Sequence, residues 1–284
     1  MAALLLAGCR RAQPLSVAAA GDLQLGATLA ASPLADGTLL DGDVRLVNLE
    51  GPLTARGPAG DQTFAFDPAR AAWLRGRVDA VSLANNHALD QGAAGRDDTV
   101  RALDGAGVAA AFAGHDATIV RRGRRVTLLA RAFAPNDDLD GADAAALVAA
   151  VAHAARPTIV SLHWGHTGSL LPGDDQKRLA HRLVDAGAVA VIGHGPHTMQ
   201  GSERYRGGVI AYSLGNFAFG CDCTDVADAY LLRFVIDGDG AARDVVLTPI
   251  VAGLARPPAR AHDPGLRAQL VDLCADLSSG VAVE

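Results

Sequence analysis

Residues Val78–Gly92 read VDAVSLANNHALDQG. The stretch opens as an apolar run and turns polar within a few residues, at Asn85, Asn86 and His87, with Asp90 and Gly92 close behind. The same construction recurs along the chain. LSVAAAGD ends at Gly21 and Asp22, VRLVNLEG at Asn48 and Glu50, TIVSLHWGH at His163 and His166, AVAVIGHGPH at His194 and His197, and GVIAYSLGNF at Asn216. Short runs that are apolar on both faces read as buried strands.

Helical patterns separate these runs. DPARAAWLRG offers Asp67 as a cap and Pro68 at the first helical position, and stops at Gly76. GRDDTVRALDGAG buries Val100 and Leu103 and closes near Gly105. DDQKRLAHRLVDAG sets Leu179, Leu183 and Val184 on one stripe before Gly187, with His181 on the wet face. Strands alternating with helices define an α/β architecture. RPPARAHDPG near the C-terminus is an exposed connection.

In open α/β sheets, ligands bind beyond the carboxyl ends of the strands. Asp22, Glu50, Asn86, His87, His163, His194 and His197 are therefore expected to converge on one crevice. Carboxylate, amide oxygen and imidazole together suit a divalent metal such as Mn, Zn or Fe, and a pair of such ions could polarise a substrate and activate water. Any one of these residues alone would read as a turn, a cap or a structural histidine. Their repetition at the ends of buried strands is what points to a site. His115, His153, His181 and His262 lack that setting.

Half of the 284 residues are hydrophobic and a fifth are charged, which is enough apolar material for a large core. The formal charge is −6, and Lys177 is the sole lysine. With no basic stripe and no aromatic platform, nucleic acid is excluded as a partner. The start, MAALLLAGCRR, places small residues before Cys9 after an apolar run. It resembles a bacterial lipoprotein signal in which the cysteine is lipidated, here truncated, with the true start upstream. Residues 1–14 are expected to be signal and tether, and residues 15–284 a single domain. The expected location is the extracytoplasmic cell envelope, anchored in the membrane through Cys9. Cys221 and Cys223, in CDC, read as free or oxidisable loop thiols rather than a metal pair, and Cys274 stands apart.

The motifs AAAGDLQLG, VNLEGPLT, VSLANNHALDQG, SLHWGHTG, VIGHGPHTMQG and IAYSLGNF occur in the order found in the bacterial capsule-synthesis CapA (PgsA) family, which the chain resembles from about Ser16 to Leu247. The resemblance implies a role in making or exporting poly-γ-glutamate capsule. It also implies the fold of calcineurin-like metallophosphoesterases: two packed mixed β-sheets flanked by helices, a four-layer sandwich with a dinuclear metal site at the strand ends. On this resemblance Asp22, Glu50, Asn86, His163, His194 and His197 are the metal ligands, with Glu50 where related enzymes have a bridging aspartate. His87 is the general acid or phosphate-contacting base, Asp90 orients it from one helical turn away, and Asn216 pins its loop.

Two positions depart from the pattern. Gln24 stands where metallophosphoesterases have the histidine of Asp-x-His. Thr167, with His166 beside it, stands where the family often has glutamate. The implied activity is metal-dependent hydrolysis, with activated water attacking a phosphoester or an amide-like centre of a capsule polymer or similar substrate. The alternative is a non-catalytic envelope scaffold, working with other capsule-synthesis proteins, that keeps a metal pocket.

Overall fold

The computed structural model describes residues 12–57, 63–221, 224–254, 256–277 and 280–284. Cys9 and Cys223 lie outside the described residues. Cys221 is disulfide-bonded, the oxidised one of the two states expected of it, while Cys274 is free and buried. No helix among the described residues is long and apolar enough to cross a membrane.

The expected strands form, with others between them. In chain order they are β1 (Leu15–Gln24), β2 (Val44–Leu49), β3 (Ala80–Ser82), β4 (Ala109–Ala111), β5 (Ala117–Arg121), β6 (Arg124–Ala132), β7 (Thr158–His163), β8 (Ala188–His194), β9 (Ser202–Tyr205), β10 (Gly208–Ala211), β11 (Asn216–Phe219), β12 (Asp228–Ile236) and β13 (Ala242–Val251). The helices are α1 (Gly92–Ala106), α2 (Ala142–His153), α3 (Asp174–Ala186) and α4 (Pro264–Ala275). The segment after Asp67 is a short 3-10 helix, Pro68–Trp73, with Asp67 Oδ1 accepting from the Ala69 N–H. α1 runs past Gly105 to a left-handed cap at Gly107; it buries Leu103, whereas Val100 is only partly buried.

Two mixed sheets result. In the first, β1, β2, β3 and β4 run parallel, β12 and β13 add antiparallel strands beside β1, and β11 pairs with the end of β1. The second has the order β5-β6-β7-β8-β10-β9, with β6, β7, β8 and β10 parallel. The run GVIAYSLGNF is not one strand ending at Asn216. It is β10 in the second sheet and β11 in the first, joined through Tyr212–Gly215, so Asn216 opens a strand.

Strand alternation sorts the side chains into layers. Val17, Ala19, Leu46, Ala80, Leu128, Ile159, Ala190 and Ile192 fill the core between the two sheets. Ala18, Ala20, Val47, Leu49 and Val81 face the other way, against Leu103 and Ala106 of α1. Leu129, Val160, Leu162 and Val191 pack on Leu147 and Val151 of α2 and on Leu179 and Leu183 of α3. The outcome is the expected four-layer α/β arrangement of helix, sheet, sheet and helices. His181 is not on a wet face of α3. It is half-buried, stacked on Tyr205, and its Nε2 lies 2.8 Å from Glu203 Oε1.

Candidate metal centre

Alternation also places the candidate ligands. Glu50 follows Leu46 and Asn48 on the inter-sheet face of β2, His163 follows Ile159 and Ser161 on β7, and His194 follows Ala190 and Ile192 on β8. Asp22 needs a further device, because a regular strand would put it on the face of Ala18 and Ala20. The register of β1 slips against β2 between Ala19 and Asp22, and against β11 between Asp22 and Leu23. After the slip, Leu23 and Leu25 lie in the same core as Ala18 and Ala20, and Asp22 is turned toward the inter-sheet side. Gly21 permits it: a Cβ there would sit 1.8 Å from the Gly215 carbonyl oxygen.

Asp22, Glu50 and His163 thus meet from both sheets, with one ligand atom of each within 4.8 Å of the others. His194 Nδ1 lies 3.2 Å from Asp22 Oδ1, and His197 Nδ1 lies 3.2 Å from Asp22 Oδ2. His197 Nε2 lies 3.5 Å from Glu50 Oε1. His197 holds a positive φ of 60°, a conformation that costs a non-glycine residue energy and is found where a side chain must be aimed. Its Nδ1 also lies 3.0 Å from Asn216 Oδ1. Amide and carboxylate oxygens only accept there, so Nδ1 carries a proton, and Nε2 is the nitrogen turned toward Glu50.

Asn86 is exposed and lines a cavity of about 290 Å³ together with His163, His197 and Thr167. His87 is half-buried against the Phe64 ring, with centroids 4.4 Å apart, and its Nδ1–H donates to Asp90 Oδ2 at 2.9 Å. Asp90 also accepts from the Phe64 N–H at 2.7 Å. It stands in a run of turns before α1 rather than on the helix. Thr167 faces the cavity with His163, whereas His166 lines a different, adjoining cavity.

Sequence reading gave Asn48 and Asn85 no role in the site. Asn48 Nδ2 donates to Asp22 Oδ1 at 2.8 Å, and its own Oδ1 accepts from Asn85 Nδ2 at 3.1 Å. The signal was present: Asn48 lies two residues before Glu50, on the same strand face. Asn216 does pin its loop, through Nδ2 to the Val226 carbonyl at 3.1 Å, and it also orients His197.

Burial would push the Asp22 carboxyl up, but the His194 and His197 imidazoles beside it outweigh burial and hold it well below the usual carboxylate range. Burial, with the Asp22 charge behind it, pushes the Glu50 carboxyl up to about 8. Burial lowers His163 to about 4. Burial also opposes charge on His197, yet the hydrogen bond to Asp22 and the Asp22 and Glu50 charges raise it to about 9. These pulls are what a cluster of ligands does to itself without a cation. Both Glu50 oxygens, Asp22 Oδ2, His163 Nδ1 and His194 Nδ1 are buried without an aligned hydrogen bond. Buried orphans of this kind are expensive, and oxygen and imidazole donors with no thiolate suit Zn, Mn or Fe. The residues therefore fit a divalent ion.

A family model described as "Bacterial capsule synthesis protein PGA_cap" matches residues 27–221. The match holds every candidate residue except Asp22, which lies just before it. The chain is 32% identical over 207 residues to the capsule biosynthesis protein CapA of Bacillus anthracis, covering 64% of this chain and 50% of that one. It is 33% identical over 222 residues to a probable polyglutamine synthesis accessory protein of Mycobacterium tuberculosis, covering 66% and 56%. The chain thus spans about half the length of the curated relatives it matches. A hypothetical protein from Thermus thermophilus shares the fold, with a TM-score of 0.57 at 18% identity over 82% of this chain and 98% of that one.

Proposed function

This chain belongs to the bacterial capsule synthesis protein PGA_cap family, and on that premise we propose that it is an envelope accessory protein of poly-γ-glutamate capsule synthesis or export with a metal-dependent hydrolytic site. One observation carries the hydrolytic part: Asp22, Glu50 and His163 gather ligand atoms within 4.8 Å beside a cavity that His163 and His197 line, and most of those atoms have no aligned hydrogen bond. The relatives' names, capsule biosynthesis and polyglutamine synthesis, support the biological setting. Cys9 would tether the folded unit, residues 15–284, to the outer face of the membrane, beside the polymer and other capsule-synthesis proteins.

A divalent ion in this site would act as a Lewis acid and lower the pKa of a bound water. The protein's own residues do the rest. Asp22, Glu50, His163, His194 and His197 would hold the ion, with Asn86 reaching it through its amide oxygen. Asn48 and Asn216 fix Asp22 and His197 by direct hydrogen bonds. His87 has its Nδ1–H committed to Asp90, which frees Nε2 to hand a proton to a leaving group. Its setting against Phe64 limits how far the ring can swing.

Metal analysis of the purified protein tests this, paired with a panel of phosphoesters and poly-γ-glutamate. Wild type should carry Zn, Mn or Fe and lose it in Asp22→Asn and Glu50→Gln, with turnover following metal content. A folded wild type that takes up none of these ions would sink the reading. Metal held without any turnover would favour the scaffold alternative, for which Gln24 and Thr167 speak, since each is a weaker ligand type than the histidine or glutamate the metallophosphoesterase resemblance leads one to expect there.

A further inference from the structure

Gln24 lies wholly inside the protein, and among the described residues neither its Oε1 nor its Nε2 has a hydrogen-bond partner. Its backbone is satisfied: the carbonyl accepts from the Gly220 N–H at 3.1 Å where β1 runs beside β11. Only the side chain is idle. A buried amide with both ends unpaired costs stability, so its place in the fold needs a reason.

Strand register places the amide. Leu23 and Leu25 lie in the core on the helix side, so Gln24 between them takes the opposite face, the one Asp22 holds after the slip. Along β2, Asp22 stands beside Asn48 and Leu23 beside Leu49. The next step sets Gln24 beside Glu50, and the Glu50 N–H, bonded to the Leu23 carbonyl at 2.8 Å, carries the ladder that far. Along β11, Asp22 stands beside Asn216 and Gln24 beside Phe219. His197 spans both rows. It reaches Asp22 and Asn216 in the first. In the second, its Nε2 lies 3.5 Å from Glu50 Oε1 and its ring meets the Phe219 ring edge-on at 5.3 Å. Gln24 is the position between Glu50 and Phe219, and both Glu50 oxygens are also without an aligned partner. Asp22 and Glu50 are as deeply buried as Gln24, so an ion that reaches them has the same access to the amide.

We infer that Gln24 Oε1 is a further ligand of the divalent cation and that, with Glu50, it gives the site an oxygen-only end opposite its imidazoles. This assignment rests on reading the cluster as a metal centre. An amide oxygen adds a donor without adding charge, so Asp22 and Glu50 together still match one dication. Carboxylate and amide oxygens favour Mn²⁺, whereas imidazoles favour Zn²⁺. Gln24 therefore tilts the preference of the site from Zn²⁺ toward Mn²⁺. Its Nε2 is left to donate to a Glu50 oxygen that the ion does not take.

Metal titration of the stripped full-length protein tests the assignment without relying on turnover. Mn²⁺ and Zn²⁺ are each added in competition with a chelator. Gln24→Leu, of similar size, should weaken Mn²⁺ about tenfold or more and Zn²⁺ less. Gln24→His should turn the preference toward Zn²⁺. Electron paramagnetic resonance of bound Mn²⁺ should change in both variants. Without metal, Gln24→Leu should melt no lower than wild type, because it removes a buried amide with no partner. A Leu variant that binds Mn²⁺ as wild type does, or that loses Mn²⁺ and Zn²⁺ equally, would overturn the assignment and leave the metal centre standing. So would a metal-free Leu variant that melts well below wild type, since the amide would then be structural. A folded wild type that takes up neither ion would end both readings.

Discussion

His87 and His197 differ in which partners hold their ring nitrogens. His87 is tied to Asp90 and packed on Phe64, whereas His197 Nε2 sits 3.5 Å from Glu50 among the ligand atoms. His87→Ala should leave bound metal nearly unchanged and slow turnover by roughly 10²–10⁴. His197→Ala should lower bound metal, measurable by mass spectrometry of the purified variants. Loss of metal from the His87 variant would make it a ligand and undo the role given to it. Protonation adds a second expectation. In the metal-free protein burial and the Asp22 charge push Glu50 up to about 8, and the hydrogen bond and charge of Asp22 raise His197 to about 9 against its burial, so both favour their protonated forms at neutral pH and a cation must displace those protons. Affinity should therefore climb as pH rises toward these values and level off above them, by up to about tenfold per unit for each proton released. Chelator competition at pH values on either side of 8 reads this directly, and a flat profile would contradict it. The candidate ligands were legible because each falls among the polar residues that close an apolar run. Asn48 was hidden because a single amide between Val47 and Leu49 looks like ordinary strand alternation, and nothing in the sequence shows that it faces Asp22.

Among the elements, β1 is the least tolerant. Its slip at Gly21–Asp22 turns a carboxylate to the inter-sheet side, and Gly21 lets the strand close on Gly215. Gly21→Ala would force a methyl to within 1.8 Å of a backbone oxygen, so β1 and β11 must part. The expected cost is about 1–3 kcal/mol or more of stability, with reduced metal uptake because Asp22 moves with the strand. Gly57→Ala, where nothing lies within 4 Å of the added methyl, is the control and should stay within about 0.5 kcal/mol. Urea denaturation of both variants tests the pair; equal midpoints would show that the close approach is not needed. Of the helices, α1 and α3 were legible through the glycines that close them, and the 3.6-residue stripe of α3 places Leu179, Leu183 and Val184 inside as expected, whereas α2 and α4 were not. The bulge was not legible, since a one-residue slip leaves no mark in an apolar run. Neither was the division of GVIAYSLGNF between two sheets, because a run of that length reads equally well as one long strand.

At the scale of the whole molecule, the candidate metal centre draws Asp22 and Glu50 from one sheet and His163 and His194 from the other. An ion there ties the two layers together and relieves buried orphan oxygens. Ion present at about 100 times its dissociation constant stabilises the native state by about 2.7 kcal/mol. Stripping it with a chelator should therefore lower Tm by roughly 5 °C for a chain of this size. Calorimetry with and without metal reads the difference, and an unchanged Tm would mean the site does not hold the ion in the folded state. The layered plan could be read from alternating strands and helices. The pairing of β1 with β12, Leu15 against Ile236, could not, because contacts so distant in sequence leave no local pattern.

That long-range pairing also bears on the order in which a growing chain can acquire its parts. Every strand of the second sheet lies between Ala117 and Ala211, in one uninterrupted stretch set between β4 and β11. A ribosome making the protein from its N-terminus releases that sheet complete while β1 still waits for β11 and β12. The later-made half must then reach back to flank a strand made near the beginning. On the proposed reading, capture of a cation between the two sheets would be the last event of maturation. In refolding followed by pulsed hydrogen exchange, β7 and β8 should be protected before β1, and metal should be taken up with β1 rather than ahead of it.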